Sequence, residues 1–442
     1  MAAPGTSATT LTAPAPASAA TTVETAARKQ QTYAIVIIGI LFFCFGFITW
    51  LNSTLIPFLK LACQLESDLQ AFFVTFAFYM AYFFLALPAS RILKLTGYKK
   101  GMALGLIIIA IGSLVFIPAA NSRNFAFFLT GLFIQGTGLA LLQTASNPYI
   151  SIVGPIESAA KRISIMGICN KIAGALSPLI LGAIVLKNAQ HTENQLVQST
   201  DPAAKELLLQ ELAQRIIPPY IIIAVFLILL AALIYYSKLP EIAAEENQKD
   251  KKAEQTIFSF PHLWLGVLCL FLYVGVEVLA GDAIGTYGKA LGMSLDTTKY
   301  FTSFTLAAML LGYVVGIFTI PRYLKQQQAL LWSAILGLLF SAGIYFTDGY
   351  VSVTFVALLG LSNALMWPAI FPLAIDGLGK FTQTASALLV MGIAGGAIVP
   401  LLYNHLKDNL QWSNQSAFFI CCFPAYLYIL YYGVKGYKVG KG

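Results

Sequence analysis

Twelve stretches of the chain are apolar on all sides, each about as long as the roughly 20-residue helix needed to cross a bilayer core. Their predicted limits are 33–59, 70–93, 101–119, 125–150, 163–187, 216–237, 263–289, 299–320, 328–346, 349–376, 383–405 and 415–434. The other spanning design, a closed β-barrel, shows segments of about ten residues that alternate apolar and polar. Unbroken apolarity selects helices.

The polar stretches between them divide the chain. Residues 1–32, rich in Ala, Thr, Pro and Ser, have little to bury and read as a disordered cytoplasmic tail. A mixed-charge segment at 238–262 separates six predicted helices (33–237) from six more (263–442, with a short tail) and reads as a cytoplasmic linker. A third polar segment, 188–215, is long enough to hold a short amphipathic helix on the far side.

The two sets of six show a trace of duplication. Sliding helix 1 onto helix 7 by 229 positions pairs Phe45-Gly46 with Val274-Gly275 and Lys60 with Lys289. At 231 positions, helix 2 meets helix 8 with Tyr82 on Tyr313, Arg91 on Arg322 and Lys94 on Lys325. Near-equal offsets over neighbouring helices fit parallel repeats related about the membrane normal, an arrangement common in transporters. The predicted fold class is therefore an all-α membrane protein, with 12 transmembrane helices in two pseudo-symmetric six-helix bundles.

Composition agrees with this reading. The chain is 58% hydrophobic and 10% charged, against about 25% charged in globular chains. The net charge of +8 raises the question of a nucleic-acid partner, and its distribution answers it. With the N-terminus inside, 18 Lys and Arg fall in cytoplasmic segments and 8 in outside loops, with Lys171 left within a helix. That is the positive-inside bias. It predicts an integral protein of the cytoplasmic (bacterial inner) membrane with both termini cytoplasmic, partnered by lipid and not by nucleic acid. No basic segment followed by an apolar run and a cleavage site opens the chain, so the first helix is expected to direct insertion.

Six cysteines lie mostly within apolar runs without metal or disulfide spacing. The three histidines, His191, His262 and His405, stand far apart in sequence. A membrane enzyme needs a metal constellation or an activated nucleophile. Neither is visible, so no enzymatic activity, metal or cofactor is expected.

Charge inside an apolar run costs roughly 2.5–3.5 kcal/mol on the insertion scale, and its presence marks a pathway or a pair. Lys171 on helix 5, Glu277 and Asp282 on helix 7 are such residues. Lys171 lies about 13 Å along its helix from Arg162, too deep for its ammonium to reach water easily. A carboxylate partner is the natural expectation. Glu277 and Asp282 are about 140° apart round a regular helix, so one should face a cavity and the other a neighbouring helix. The three are candidates for ion coupling or gating, against a static pair that locks the halves together.

Amides and aromatic rings form the other candidate group: Trp50, Asn52 and Ser53 on helix 1, Gln143 and Asn147 on helix 4, Asn170 on helix 5, Tyr287 on helix 7, and Asn363 and Trp367 on helix 10. Amides donate and accept together, and ring faces suit the C–H face of a sugar. The competing role is interhelical bonding at about 0.6–2 kcal/mol per residue. Breakers at Pro57, Pro88, Pro148, Pro178, Pro368, Pro372 and Pro400, with Gly281 and Gly285, are candidate flexible points.

The stretches GFITWLNSTLIP (46–57), GLALLQTASNPYISIVGP (138–155), ALMWPAIFPLAIDGLG (364–379) and SALLVMGIAGGAIVP (386–400) resemble the fucose:proton symporter family of the major facilitator superfamily, particularly its glucose/galactose transporter group. The resemblance implies an alternating-access monomer that imports a small neutral sugar of the glucose, galactose or fucose type. Its proton-coupled members carry Asp where this chain has Ser53 and Glu where it has Gln143. Both replacements keep hydrogen bonding and abolish titration. At the 229-residue offset Ser53 falls opposite Asp282, so a carboxylate in the other half is available to take over. The residues are compatible with symport with H⁺ or Na⁺, with uncoupled facilitation, and with transport of an acidic or N-acetylated sugar. A lysine without a nearby carboxylate would favour the acidic sugar.

Overall fold

The computed structural model describes residues 17–152, 159–199, 201–239, 256–320 and 322–441. Eleven helices in it are long and apolar enough to cross a membrane. One of them, Asp68–Ser122, is two spans in series. Its core Phe73–Leu114 counts 42 residues, about 63 Å of helix, twice a bilayer core of about 30 Å. Gly97 breaks it with φ 75° and ψ 168°, an angle pair that a residue with a Cβ resists. The spans among the described residues are thus twelve: α1 (Gln31–Ala62), α2 (68–96), α3 (98–122), α4 (Phe125–Ile152), α5 (Ala159–Val185), α6 (Ile217–Tyr236), α7 (Pro261–Asp282), α8 (Phe301–Thr319), α9 (Gln326–Phe346), α10 (349–375), α11 (382–408) and α12 (Asn414–Val434).

Two segments differ from expectation. The helix that becomes α1 starts at Ala17, so 17–32 continues it instead of forming an unordered tail. Ala, Glu, Arg, Lys and Gln in that segment are good helix formers. Residues 1–16 of the expected tail, and 240–255 of the expected linker, lie outside the described residues. The segment between α5 and α6 holds two short helices, Ala189–Gln198 and Pro202–Gln214. Asp201 caps the second by accepting from the Ala203 amide at 3.0 Å, and Arg123 grips it through both oxygens of Glu206.

Small residues set the helix crossings. A Cβ on Gly46 would lie 1.9 Å from the Asn170 carbonyl oxygen, so α1 and α5 touch backbone to backbone. Gly275, its partner at the 229-residue offset, brings α7 close to α11, where a Cβ would lie 2.3 Å from the Val399 side chain and 3.1 Å from the Gly395 carbonyl oxygen. Close approach through glycine replaces the hydrophobic driving force that lipid removes. The same device at equivalent positions supports the duplication. On the outside, α6 turns Ile222, Leu229 and Leu233 outward, an apolar surface that suits lipid tails.

Twelve alternating crossings bring the start of α1, the end of α12 and the described edges of the connection, 238–239 and 256–262, to one side, here the terminal face, with the two short helices on the opposite, loop face. At the loop face the halves are tied together. The Leu69 amide donates to Asp408 at 2.9 Å, Lys407 pairs with Asp68, Lys289 with Glu193 at 2.6 Å, and the Lys299 ammonium donates to the Leu186 carbonyl at 3.0 Å.

Candidate functional site

Two buried charges meet in the seam between the halves. The Lys171 ammonium on α5 lies 2.7 Å from Glu277 Oε1 on α7, and the two residues are 7% and 8% exposed. The ammonium also sits 5.1 Å from the centre of the Trp50 ring, close enough for a cation–π contact. Glu277, not Asp282, is thus the partner that Lys171 requires. Breaking a buried pair of this kind by removing one member leaves an uncompensated charge at a cost of about 3–5 kcal/mol.

Around the pair is a cavity of about 120 Å³. The first half lines it with Trp50, Tyr79, Tyr82, Gln143, Asn147, Asn170 and Lys171, and the second with Tyr273, Glu277, Tyr313 and Trp367. Gln143 Nε2 donates to the Tyr82 hydroxyl at 2.9 Å, which leaves its carbonyl oxygen as an acceptor for a ligand. Asn170 is held by its amide on the Phe42 carbonyl at 3.3 Å. Trp367 stacks on Phe371 with centroids 5.8 Å apart. The lining reaches Asn147 near the end of α4 and Ile163 near the start of α5, so the cavity extends toward the terminal face. A separate shallow depression at Tyr345, Trp412 and Phe419 lies at the loop-face ends of α9 and α12, away from these charges.

Trp50 roofs the cavity on the loop-face side. It is 2% exposed and lies between Gly174 of its own half and Gly281 of the other. A Cβ on Gly281 would fall 2.0 Å from Trp50 Cζ3, and one on Gly174 would fall 2.4 Å from Trp50 Cδ1. Just past this ring α1 tightens at Leu51, whose amide bonds the Ile48 carbonyl at 3.3 Å while its backbone stays helical.

Five of the sequence candidates stand elsewhere. Asn52 is fully buried, and Ser53 donates back to the Trp50 carbonyl at 2.8 Å; both lie past Trp50 toward the loop face and outside the cavity lining. Tyr287 bonds Ser352 at 2.6 Å, ten residues past Glu277 and therefore about 15 Å nearer the loop face. Asn363 accepts from the Tyr426 hydroxyl at 2.9 Å and ties α10 to α12. These contacts correct the expectation that the four line the cavity. Asp282 is 2% exposed and faces α2, where its Oδ2 accepts from Thr75 at 3.3 Å. One carboxylate on the cavity and one against a neighbouring helix is the division that their angular separation demands.

Sequence reasoning passed over the tyrosines. Tyr82 and Tyr313 were a usable signal, since the repeat offset already paired them, and they occupy equivalent places on α2 and α8 in the cavity wall. Tyr79 and Tyr273 had no comparable mark. A Cβ on Gly167 would lie 2.7 Å from the Tyr313 ring, so this side chain also forms part of the α5–α8 contact across the seam.

The sequence profile of the Major Facilitator Superfamily matches residues 38–401, and the chain belongs to that family. A glucose/galactose transporter of Brucella abortus biovar 1 (strain 9-941) is 33% identical over 418 residues, covering 94% of this chain and 97% of that protein. The L-fucose-proton symporter of Escherichia coli (strain K12) is 28% identical over 396 residues, covering 87% and 90%. Among solved structures, the transporter FucP in the outward conformation superposes with a TM-score of 0.74 at 26% identity, covering 91% of this chain and 98% of that one.

Proposed function

We propose that this chain imports a neutral hexose or deoxyhexose, of the glucose, galactose or fucose type, across the cytoplasmic membrane by alternating access. The observation that carries the reading is the Lys171–Glu277 pair at 2.7 Å inside a cavity walled by amides and aromatic rings. A cavity whose two charges cancel favours a neutral ligand. Its donors and acceptors suit hydroxyls, and its ring faces suit a pyranose. The named functions of the relatives, glucose/galactose transport and L-fucose-proton symport, fall in the same class. An acidic sugar is disfavoured because Glu277 already neutralises Lys171.

The excess of Lys and Arg on the terminal face supports assigning it to the cytoplasmic side. The closed loop face and the cavity's extension toward the terminal face then correspond to an inward-facing state. Trp50, Gln143, Asn147, Asn170 and Trp367 are the sugar contacts in this reading. Lys171 and Glu277 form the central gate, each able to trade its partner for a sugar hydroxyl.

The test is uptake and counterflow of labelled glucose, galactose, fucose and mannose in proteoliposomes, with glucuronate as the anionic comparison. Saturable counterflow of at least one neutral hexose is expected. Counterflow of glucuronate alone would replace the reading by an acidic-sugar transporter.

A further inference from the structure

We infer that Asp282 is the site of a coupling proton, set apart from the sugar cavity in the part of the seam that closes beyond it; this rests on the sugar-transport reading above. The carboxyl ends the regular part of α7 and is 2% exposed. Its Oδ2 takes one hydrogen bond from Thr75 of the other half, and its Oδ1 has no partner among the described residues.

Among the described residues, the surroundings supply no counter-charge. On its own helix, Glu277 is already joined to Lys171. Facing α2 offers the Thr75 hydroxyl and the Tyr79 phenol, and α1 offers the Trp50 ring against Gly281. On α8, the hydroxyls of Thr302 and Thr305 are spent on the carbonyls of Gly281 and Ala280, at 2.7 and 3.2 Å. α11 packs on α7 through Gly395 and Val399, and its own charges, Lys407 and Asp408, lie at the loop face on Asp68 and Leu69. A bare carboxylate here is a buried unpaired charge, whereas a carboxylic acid leaves only one hydrogen bond unmade.

The contact that buries Asp282 is also a contact between the halves. When they part on the loop face, Thr75 is replaced by water and the carboxylate is solvated. One proton from that water then joins a carboxylate oxygen, and the neutral group permits closure. Tyr79 stands one turn along α2 from Thr75 and lines the sugar cavity with Glu277. It marks the path by which the same proton passes to cavity water on the terminal side. The carboxylate left behind is again without a partner, which drives the halves back to the state that wets it. Sugar and proton thus have separate places and one shared motion.

The experiment uses the full chain in proteoliposomes with a neutral hexose that wild type exchanges. It compares counterflow without gradients, uptake under an acid-outside gradient, and uptake under a Na⁺ gradient. Wild type should accumulate sugar at least fivefold under the acid gradient and not under Na⁺. Asp282→Asn should lose that accumulation while counterflow falls by no more than threefold. Asp282→Glu keeps a titratable group and should retain accumulation with a displaced pH profile, which serves if the Asn variant does not fold. Accumulation by Asp282→Asn, an unmoved pH profile in Asp282→Glu, Na⁺ as the driver, or wild-type exchange without accumulation would each overturn the inference. Absence of any hexose counterflow in wild type would instead remove the sugar reading beneath it.

Discussion

Lys171 and Glu277 stand 106 positions apart in the chain, on opposite sides of the seam between the halves, and their charged groups meet at 2.7 Å. The ammonium is also held over Trp50, the ring that roofs the cavity. Charge pair and roof are therefore in mechanical contact, and what opens one disturbs the other.

Removal of either charge should be worse for folding than removal of both. Lys171→Ala and Glu277→Ala should each destabilise the protein by about 3–5 kcal/mol, since each strands a buried charge. The double variant should regain most of that loss in thermal unfolding while its uptake stays at least tenfold below wild type. A strictly additive double-mutant cycle would show that the two side chains are not coupled.

Gly281→Ala should interfere with closure of the loop face. The added Cβ would fall 2.0 Å from Trp50 Cζ3, so the indole has to leave its seat. Uptake should fall by more than tenfold, and a cysteine placed at Thr75 should react faster with an impermeant maleimide. Combining Gly281→Ala with Trp50→Phe removes the clashing part of the ring and should recover part of the rate.

The Lys407–Asp68 bridge should report the same closure from the surface. Short bismaleimide cross-linking of Asp68→Cys to Lys407→Cys, in a Cys63→Ala background, should stop uptake by holding the loop face shut. Uptake that continues at full rate after cross-linking would mean that these residues need not separate.

Gln143→Ala removes the donor to Tyr82 and a free acceptor in the cavity wall. One hydrogen bond of about 0.5–1.5 kcal/mol corresponds to a rise of up to roughly tenfold in the KM for sugar. Trp367→Ala should raise KM as well, whereas Asn363→Ala, which only breaks the bond to Tyr426, should lower thermal stability with KM little changed. Equal effects on KM from the two α10 substitutions would contradict this placement.

The spans themselves were legible because an apolar run of membrane length has one stable outcome. The α2–α3 boundary shows how little punctuation that needs, since Gly97 is the single left-handed residue in an otherwise continuous helix. Lys171, Glu277 and Asp282 were legible for the opposite reason, because charge in such a run has to be accommodated. Which carboxylate took the lysine was not legible. It depends on helix rotation across a seam, and helices apolar on all sides carry no periodic mark of which face turns inward. The same gap misplaced Asn52, Ser53, Tyr287 and Asn363, residues of suitable chemistry at the wrong depth or angle. Tyr82 and Tyr313 could have been found, because their repeat pairing put them at equivalent points on two helices.

The buried pair also bears on descent. A single mutation that neutralises Lys171 or Glu277 passes through a protein with a stranded charge, less stable than either end point. Lineages should therefore change these positions together or leave both alone, and an ancestor lacking both would have had to acquire them in close succession. Reconstructed sequences that carry one charge without the other should be the poorest folders in such a series.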